Sequence, residues 1–410
     1  MKYEDFVKKS YKPKRNDMVC SFYLEPDKVG MKYAAGGVAA ESSIGTWTEV
    51  KTMHGYVKRK AATVFDMKGN DRVANIKIAY PIDLFEPGNI PNLLSSVAGN
   101  VFGLKELKNL RLNDIILPKK YVKNFKGPQY GISGIRKILE IGDRPLVGTI
   151  IKPKLGLRTA HHAKIAYDAW IGGCDIVKDD ENLANQNFNR FAERVKATLK
   201  MRDLAERKTR ERKLYITNIT GETDDMTRRA KYLKEHGGRC VMIDVLTVGW
   251  SALQTMREHS FGLIVHGHRA MHAAVTKNPK HGISMKVFAR LLRLIGVDEL
   301  HVGTVVGKMA ESEVEVLENV RALKDNMHGL KKVMPVASGG LHPLLIPNIT
   351  KIFGKDVIIQ MGGGIHGHPM GTKAGAMAAR QALCAIEKNI SVKECAKEHK
   401  ELRAAIEKWG

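Results

Sequence analysis

From about residue 146 onward the chain repeats one pattern: a short, almost wholly apolar run, then an amphipathic segment. The runs occupy 146–151 (LVGTII), 174–180 (CDIVKDD), 214–220 (LYITNIT), 240–246 (CVMIDVL), 262–268 (GLIVHGH), 299–306 (ELHVGTVV), 333–339 (VMPVASG) and 356–362 (DVIIQMG). Strands that are apolar throughout suit a parallel sheet covered on both faces. The segments between them, such as MTRRAKYLKEHGG (226–238) and MKVFARLLRLIG (285–296), carry helical spacing. Eight strand–helix repeats predict a (β/α)8 barrel. Before the repeat, MVCSFYLEP (18–26), ATVFDMK (62–68) and VANIKIAYP (73–81) read as strands of a small sheet, and NIPNLLSSVAGNVFG (89–103) as a helix. The expectation is an α/β protein of two domains. A smaller N-terminal α+β domain spans 1–125, and a barrel with C-terminal helices spans 126–410. The Gly- and Pro-containing stretch KNFKGPQYG (123–131) marks the boundary.

Composition narrows the class. A hydrophobic fraction of 43% over 410 residues supports two real cores and excludes a disordered chain. No apolar run reaches the roughly 18 residues needed to cross a bilayer. The N-terminus has charges but no apolar signal core. Five scattered cysteines (Cys20, Cys174, Cys240, Cys384, Cys395) suit packed, reduced thiols. The expectation is a cytoplasmic protein with no membrane partner. The net charge of +24 is compatible with nucleic acid or with an anionic substrate. Basic residues are spread along the chain and mixed with acids, as in 194–213, which is how solvated helix faces look. There is no helix-turn-helix pattern and no zinc-finger spacing, so nucleic acid is not expected.

Barrel enzymes work at the C-terminal ends of their strands. Those ends carry, in order, Lys152 and Lys154; Lys178, Asp179, Asp180 and Glu181; Asn218 and Thr220; Asp244; His266, His268, Arg269 and His272; His301 and Lys308; Ser338, Gly339 and Gly340; and Gly362, Gly363 and Gly364. The Gly-rich turns after the seventh and eighth runs let backbone N–H groups approach a phosphate. Arg269 and His301 offer a second anion site, so a substrate with phosphate at both ends is expected.

Alternation along the second run puts Lys178 and Asp180 on one face, with Glu181 following as the chain turns. Two carboxylates suit a hard cation such as Mg2+. An ammonium does not, because it has no acceptor. Two readings of Lys178 stand. In one it is a structural partner of the acids. In the other its neutral amine takes up CO2 and becomes an anionic, metal-ligating carbamate. The second needs a lowered pKa, which nearby Lys152 and Lys154 would favour.

GTIIKPKLGL (148–157), GGCDIVKDDEN (172–182), HGHRAMHA (266–273), HVGTVVGK (301–308), PVASGGLH (335–342) and GGGIHGHP (362–369) follow the order and spacing of the large subunit of ribulose-1,5-bisphosphate carboxylase/oxygenase (Rubisco). ESSIGTW (41–47) and VAGNVFGLKEL (97–107) resemble its N-terminal domain. The resemblance covers nearly the whole chain. It implies carboxylation of ribulose 1,5-bisphosphate to two 3-phosphoglycerates, with O2 competing with CO2. It implies Mg2+ held by Lys178, as a carbamate formed from CO2, with Asp180 and Glu181. Lys152 resembles the proton-transferring lysine, Lys154 its neighbour, His268 the active-site histidine and Lys308 the loop lysine that orients CO2. Gly303 and Gly307 would give that loop its flexibility. Arg269, His301, Ser338, Gly340, Gly362 and Gly363 match substrate-binding positions. Glu41, Thr46, Trp47 and Asn100 match residues that a partner's N-terminal domain contributes. A homodimer or an assembly of dimers follows from that, with no small subunit.

Some positions depart from the plant-type pattern. Ile150 stands where plant enzymes have Thr, MAESE (309–313) follows Lys308, and the tail after 396–410 lacks a long latch. These features resemble the archaeal type or the intermediate bacterial–archaeal type, for which CO2 fixation and nucleoside-monophosphate salvage are both open. Two competing readings are a Rubisco-like enolase or isomerase and a basic nucleic-acid-binding protein on the same fold. The retained Lys152, Lys308, Arg269, His301 and Ser338 argue against the first.

Overall fold

A computed structural model describes residues 1–307 and 311–410. Among them thirteen strands, β1 to β13, run in chain order. The chain divides into two compact units. One holds residues 1–126 with 271–294 and 326–329, the other 127–270, 295–325 and 330–410. Residues 271–294 follow the fifth repeat in sequence but group with the first unit.

The first unit is built on a five-stranded sheet in the order β10-β4-β1-β3-β2. Its strands are β1 (Met18–Pro26), β2 (Thr63–Gly69), β3 (Ala74–Tyr80), β4 (Leu107–Ile116) and β10 (Gly282–Ile283). Alternation sets the buried face. Ala74, Ile76 and Ile78 of β3 are buried, while Asn75 and Lys77 between them are exposed. β1 pairs antiparallel with both β3 and β4, and β10 adds parallel to β4. The expected helix over 89–103 is a helix at Ile90–Val97 and a 3-10 turn at Asn100–Gly103. Asn89 caps the first by accepting from the Asn92 amide at 2.9 Å.

In the second unit all eight predicted runs form strands of one closed parallel barrel. They are β5 (Leu146–Ile150), β6 (Ile176–Lys178), β7 (Leu214–Asn218), β8 (Cys240–Asp244), β9 (Ile264–His268), β11 (Glu299–His301), β12 (Met334–Ser338) and β13 (Ile358–Gln360). Alternate residues fill the interior. Leu146, Ile176, Leu214, Ile216, Cys240, Met242, Ile264, Met334, Val336 and Ile358 pack there as one cluster, together with Ile135 and Leu139 of the helix Gly131–Leu139. Each such side chain contributes roughly 1.5–3 kcal/mol by leaving water. The interior is therefore a packed support, and the residues above it are held where the strands end.

Candidate active site

The polar positions begin where the apolar filling stops. On β6, Ile176 belongs to the filling and Lys178, two residues on, takes the same direction. Lys178 is fully buried. Its Nζ donates to the Asp179 carbonyl at 2.8 Å, meets Met242 Sδ at 3.1 Å and lies 3.7 Å from Glu181 Oε2. Burial is the largest influence on this ammonium and lowers its pKa, against the pull of Glu181, Asp180, Asp244 and Asp179. The sequence assigned that lowering to Lys152 and Lys154, whereas the largest cause in the structure is loss of solvent. Lys152 is instead engaged with Asp180, Nζ to Oδ2 at 2.6 Å. Lys154 is exposed in the loop after β5.

The three consecutive acids part ways. Asp179 points away from Lys178's side of the strand, and its carboxylate accepts from Tyr215 Oη at 2.6 Å, His162 Nε2 at 3.0 Å, the Asn218 amide at 3.1 Å and Arg194 Nε at 3.2 Å. It is a structural anchor. Asp180 accepts from Lys152 and from both the backbone and side-chain nitrogens of Asn182, each at 3.1 Å. Burial raises its pKa, but these donors outweigh burial and keep it ionised. Glu181 is the most open of the three, with Lys178 and His268 each 3.7 Å away. Burial again opposes its charge, and Lys178 first, with His268 after it, lowers its pKa overall.

His268 ends β9, its Nδ1 held by Asp244 Oδ1 of β8 at 2.5 Å. Its ring meets the edge of His301 at 4.7 Å between centroids. His301 Nδ1 lies 2.8 Å from Ser338 Oγ, and its Nε2 lies 2.9 Å from His266 Nε2. Arg269, almost fully buried, is paired with Glu311, Nη2 to Oε1 at 2.5 Å. Its Nη1 has no hydrogen-bond partner among the described residues. Glu311 belongs to the MAESE departure, so the sequence's anion-binding arginine carries an internal anion here.

Gly303 and Gly307, expected to give flexibility, hold positive φ of 93° and 101°. A Cβ on Gly307 would fall 2.4 Å from the Gly339 carbonyl oxygen, so glycine is required there by space as well as by torsion. Lys308 lies outside the described residues. Gly340 follows β12 with φ 71°, and Gly362 follows β13 with the space for a Cβ bounded by Lys152 Cε at 3.1 Å. Gly363 faces open space.

Lys152, Lys154, Lys178, Asp180, Glu181, His268, Arg269, His301, Ser338, Gly340, Gly362 and Gly363 all lie in the barrel unit. Glu41, Thr46, Trp47 and Asn100 belong to the other unit. There Glu41 ends the helix Met31–Glu41 and accepts from Tyr3 Oη at 2.7 Å, while Trp47 is 80% exposed. Sequence reasoning did not assign roles to Asp179, Asp244, His266, Glu299 or Glu311. A signal for Glu299 was available: an acid two residues before His301 on an otherwise apolar run must share its inward face.

A closed barrel whose C-terminal rim gathers a buried lysine, two ionised carboxylates, histidines and Gly-rich turns defines a (β/α)8 enzyme with a lysine–dicarboxylate centre. The catalytic-domain model of the ribulose bisphosphate carboxylase large chain matches residues 131–409, and the N-terminal-domain model matches 5–121. The chain belongs to that family, and to its archaeal type. The ribulose bisphosphate carboxylase of Pyrococcus furiosus is 50% identical over 410 residues, covering 100% of this chain and 98% of the relative. That of Methanosarcina barkeri is 49% identical over 424 residues, covering 99% of each. The crystal structure of octameric Rubisco from Pyrococcus horikoshii OT3 superposes with a TM-score of 0.96 at 47% identity, covering 100% of this chain and 97% of that one. The dimeric archaeal Rubisco from Hyperthermus butylicus gives 0.93 at 44% identity, covering 100% and 99%. Among the described residues no helix is long and apolar enough to cross a membrane.

Proposed function

We infer that Lys178 is the centre at which this chain carboxylates ribulose 1,5-bisphosphate to two molecules of 3-phosphoglycerate, with O2 competing for CO2. The observation that carries this assignment is a fully buried amine of lowered pKa at a barrel strand end, beside two ionised carboxylates. A neutral amine attacks CO2: an N–C bond forms, one amine proton is released, and the product is an anionic carbamate. Desolvation favours the neutral amine that this step needs.

Among the described residues no three His, Cys, Asp or Glu side chains converge on a metal position. The donor chemistry nonetheless fits Mg2+ once Lys178 is an oxygen anion, because Asp180 and Glu181 supply the remaining hard oxygens. These three residues would hold the ion. When bound, Mg2+ supplies positive charge beside substrate oxygens that become negative. Lys152, 2.6 Å from Asp180, holds a proton at the rim for transfer to substrate. Asp244 fixes the His268 ring so that Nε2 faces Glu181. Arg269, His301 and Ser338 bind one phosphate end, and Gly340, Gly362 and Gly363 the other. Lys154 supports Lys152, and Lys308 orients CO2. Glu41, Thr46, Trp47 and Asn100 complete the site of a partner subunit. The working unit is therefore a homodimer or an assembly of dimers, as in the dimeric and octameric relatives. It works in the cytoplasm on CO2 fixation or nucleoside-monophosphate salvage. We set the domain boundary near residue 125, and the interval from 121 to 131 between the two family matches is what supports it.

Purified protein preincubated with bicarbonate and Mg2+ should fix labelled CO2 into 3-phosphoglycerate. Lys178→Ala should abolish fixation. Full activity in that variant would overturn the assignment of the centre.

A further inference from the structure

Beneath the rim lies a chain of four polar side chains that the proposed chemistry does not use in full. Glu299 Oε2 is 2.7 Å from His266 Nδ1, His266 Nε2 is 2.9 Å from His301 Nε2, and His301 Nδ1 is 2.8 Å from Ser338 Oγ. Glu299 and His266 are completely buried and His301 nearly so. The two facing Nε2 atoms share one proton between them, because a hydrogen bond needs one donor and one acceptor. Burial lowers the pKa of both imidazoles well below the ordinary histidine value, so each ring carries a single N–H. Those two constraints leave two arrangements.

In the first, His266 donates to His301. His266 Nδ1 is then bare and accepts from a protonated Glu299. His301 carries its hydrogen on Nδ1 and gives it to Ser338 Oγ, so the serine O–H is free to point outward as a donor. In the second, His301 donates to His266. His266 Nδ1–H is then given to an ionised Glu299, His301 Nδ1 is bare, and the serine spends its O–H on that nitrogen. Ser338 then offers only lone pairs. The two arrangements differ by one proton, the one on Glu299.

We propose that Glu299 is a positioning residue which, through His266 and His301, fixes whether the Ser338 hydroxyl meets the bound bisphosphate as a donor or as an acceptor. This rests on the reading of Ser338 as a substrate-binding group. Glu299 faces His266 of β9 and Cys240 of β8, has Asp298 and His301 on its own strand, and has apolar Met334 and Val336 on β12. No cation of this set compensates a carboxylate. Its Oε1 has no hydrogen-bond partner among the described residues, which suits a neutral carboxyl far better than a buried anion. Burial, with Asp298 second, pushes its pKa up to about 8. Below that pH the donor arrangement holds, and an oxygen-rich anionic substrate is met by an O–H.

The test is KM for ribulose 1,5-bisphosphate on either side of pH 8, with enzyme preactivated by bicarbonate and Mg2+. Loss of activated enzyme lowers kcat without moving KM. In the unmodified protein KM should rise roughly tenfold as pH passes 8, the scale of one hydrogen bond to a charged group. In Glu299→Gln the amide N–H donates to His266 at every pH, so KM should stay at its low-pH value. In Ser338→Ala KM should be raised and flat across pH. A normal rise of KM in Glu299→Gln would overturn the relay while leaving Ser338 as a binding group. An unchanged KM in Ser338→Ala at neutral pH would overturn the binding reading and the relay with it. Should Glu299→Gln not fold, a surviving pH transition in Ser338→Ala would still refute the proposal.

Discussion

Replacing Asp179 by alanine tests how the strand that carries Lys178 is held. The carboxylate is completely buried and accepts four hydrogen bonds, from Tyr215, His162, Arg194 and the Asn218 amide. Burial alone would raise its pKa. Arg194 and the other donors overcome that and bring it to about 2, against 3.8 for a free aspartate. That difference corresponds to about 2 kcal/mol favouring the ionised form in the folded state. Removal does more than forfeit this amount. Arg194 is itself fully buried, and although it keeps its bonds to the Asn189 and Ala184 carbonyls, its charge loses its counter-ion. Breaking one side of a buried pair costs about 3–5 kcal/mol. Asp179→Ala should therefore lose about 3–5 kcal/mol in urea denaturation at neutral pH and fixed protein concentration. Asp179→Asn should lose less, since an amide oxygen still accepts. The sign of the pH dependence follows from a depressed folded pKa. The contribution is complete above the unfolded value of 3.8 and disappears as pH falls through about 2. The gap between wild type and Asp179→Asn should narrow over that window. A loss below about 1 kcal/mol for Asp179→Ala at neutral pH would refute the reasoning, because no buried pair should be that cheap to break.

Glu299 predicts the opposite pH trend. Its folded pKa of about 8 exceeds the 4.5 of an ordinary glutamate, so its stabilisation is complete below about 4.5 and lost as pH rises to about 8. The stability of wild type relative to Glu299→Gln should decline by roughly 3–5 kcal/mol across that window in urea denaturation at matched pH, the difference cancelling the rise with pH that the lowered pKa values of His266 and His301 give both proteins. Ile176→Ala removes a fully buried side chain from the barrel filling one step below Lys178, and should cost about 2–5 kcal/mol in the same assay. Under the proposed role of Arg269, Glu311→Ala removes an internal competitor for the substrate's phosphate. KM for ribulose 1,5-bisphosphate should fall roughly tenfold, and an unchanged KM would show that the pair is not broken on binding.

The barrel was legible because its strands are buried on both faces, and such strands write themselves as apolar runs. All eight appear, each within a few residues of its expected place. β4 (Leu107–Ile116) escaped because Lys108, Asn109, Arg111, Asn113 and Asp114 break its apolar pattern, although Leu110 and Leu112 are fully buried. β10 is two residues long and has no pattern to show. Helix 285–295 was read correctly as a helix, but Lys286 and Arg290 both bind Asp114 of β4, and most of it groups with the first unit. Spacing reports that a face is apolar and says nothing of which neighbour covers it.

The site divides along the same line. Position was readable, since alternation puts Lys178 on the inward side and Asp179 on the other. Protonation was not, because it depends on what surrounds a group in space. Lys152 and Lys154 stood closest to Lys178 in the sequence argument, yet one is bound to Asp180 and the other is exposed. The lowering of Lys178 comes chiefly from a barrel wall that keeps water away. The same wall raises Glu299 and lowers His266 and His301. One physical cause thus favours neutral amine, neutral carboxyl and neutral imidazoles inside the barrel. Asp180 escapes it through the Lys152 and Asn182 donors, whereas Glu181 escapes it only while Lys178 keeps its charge, the same charge that burial works to remove.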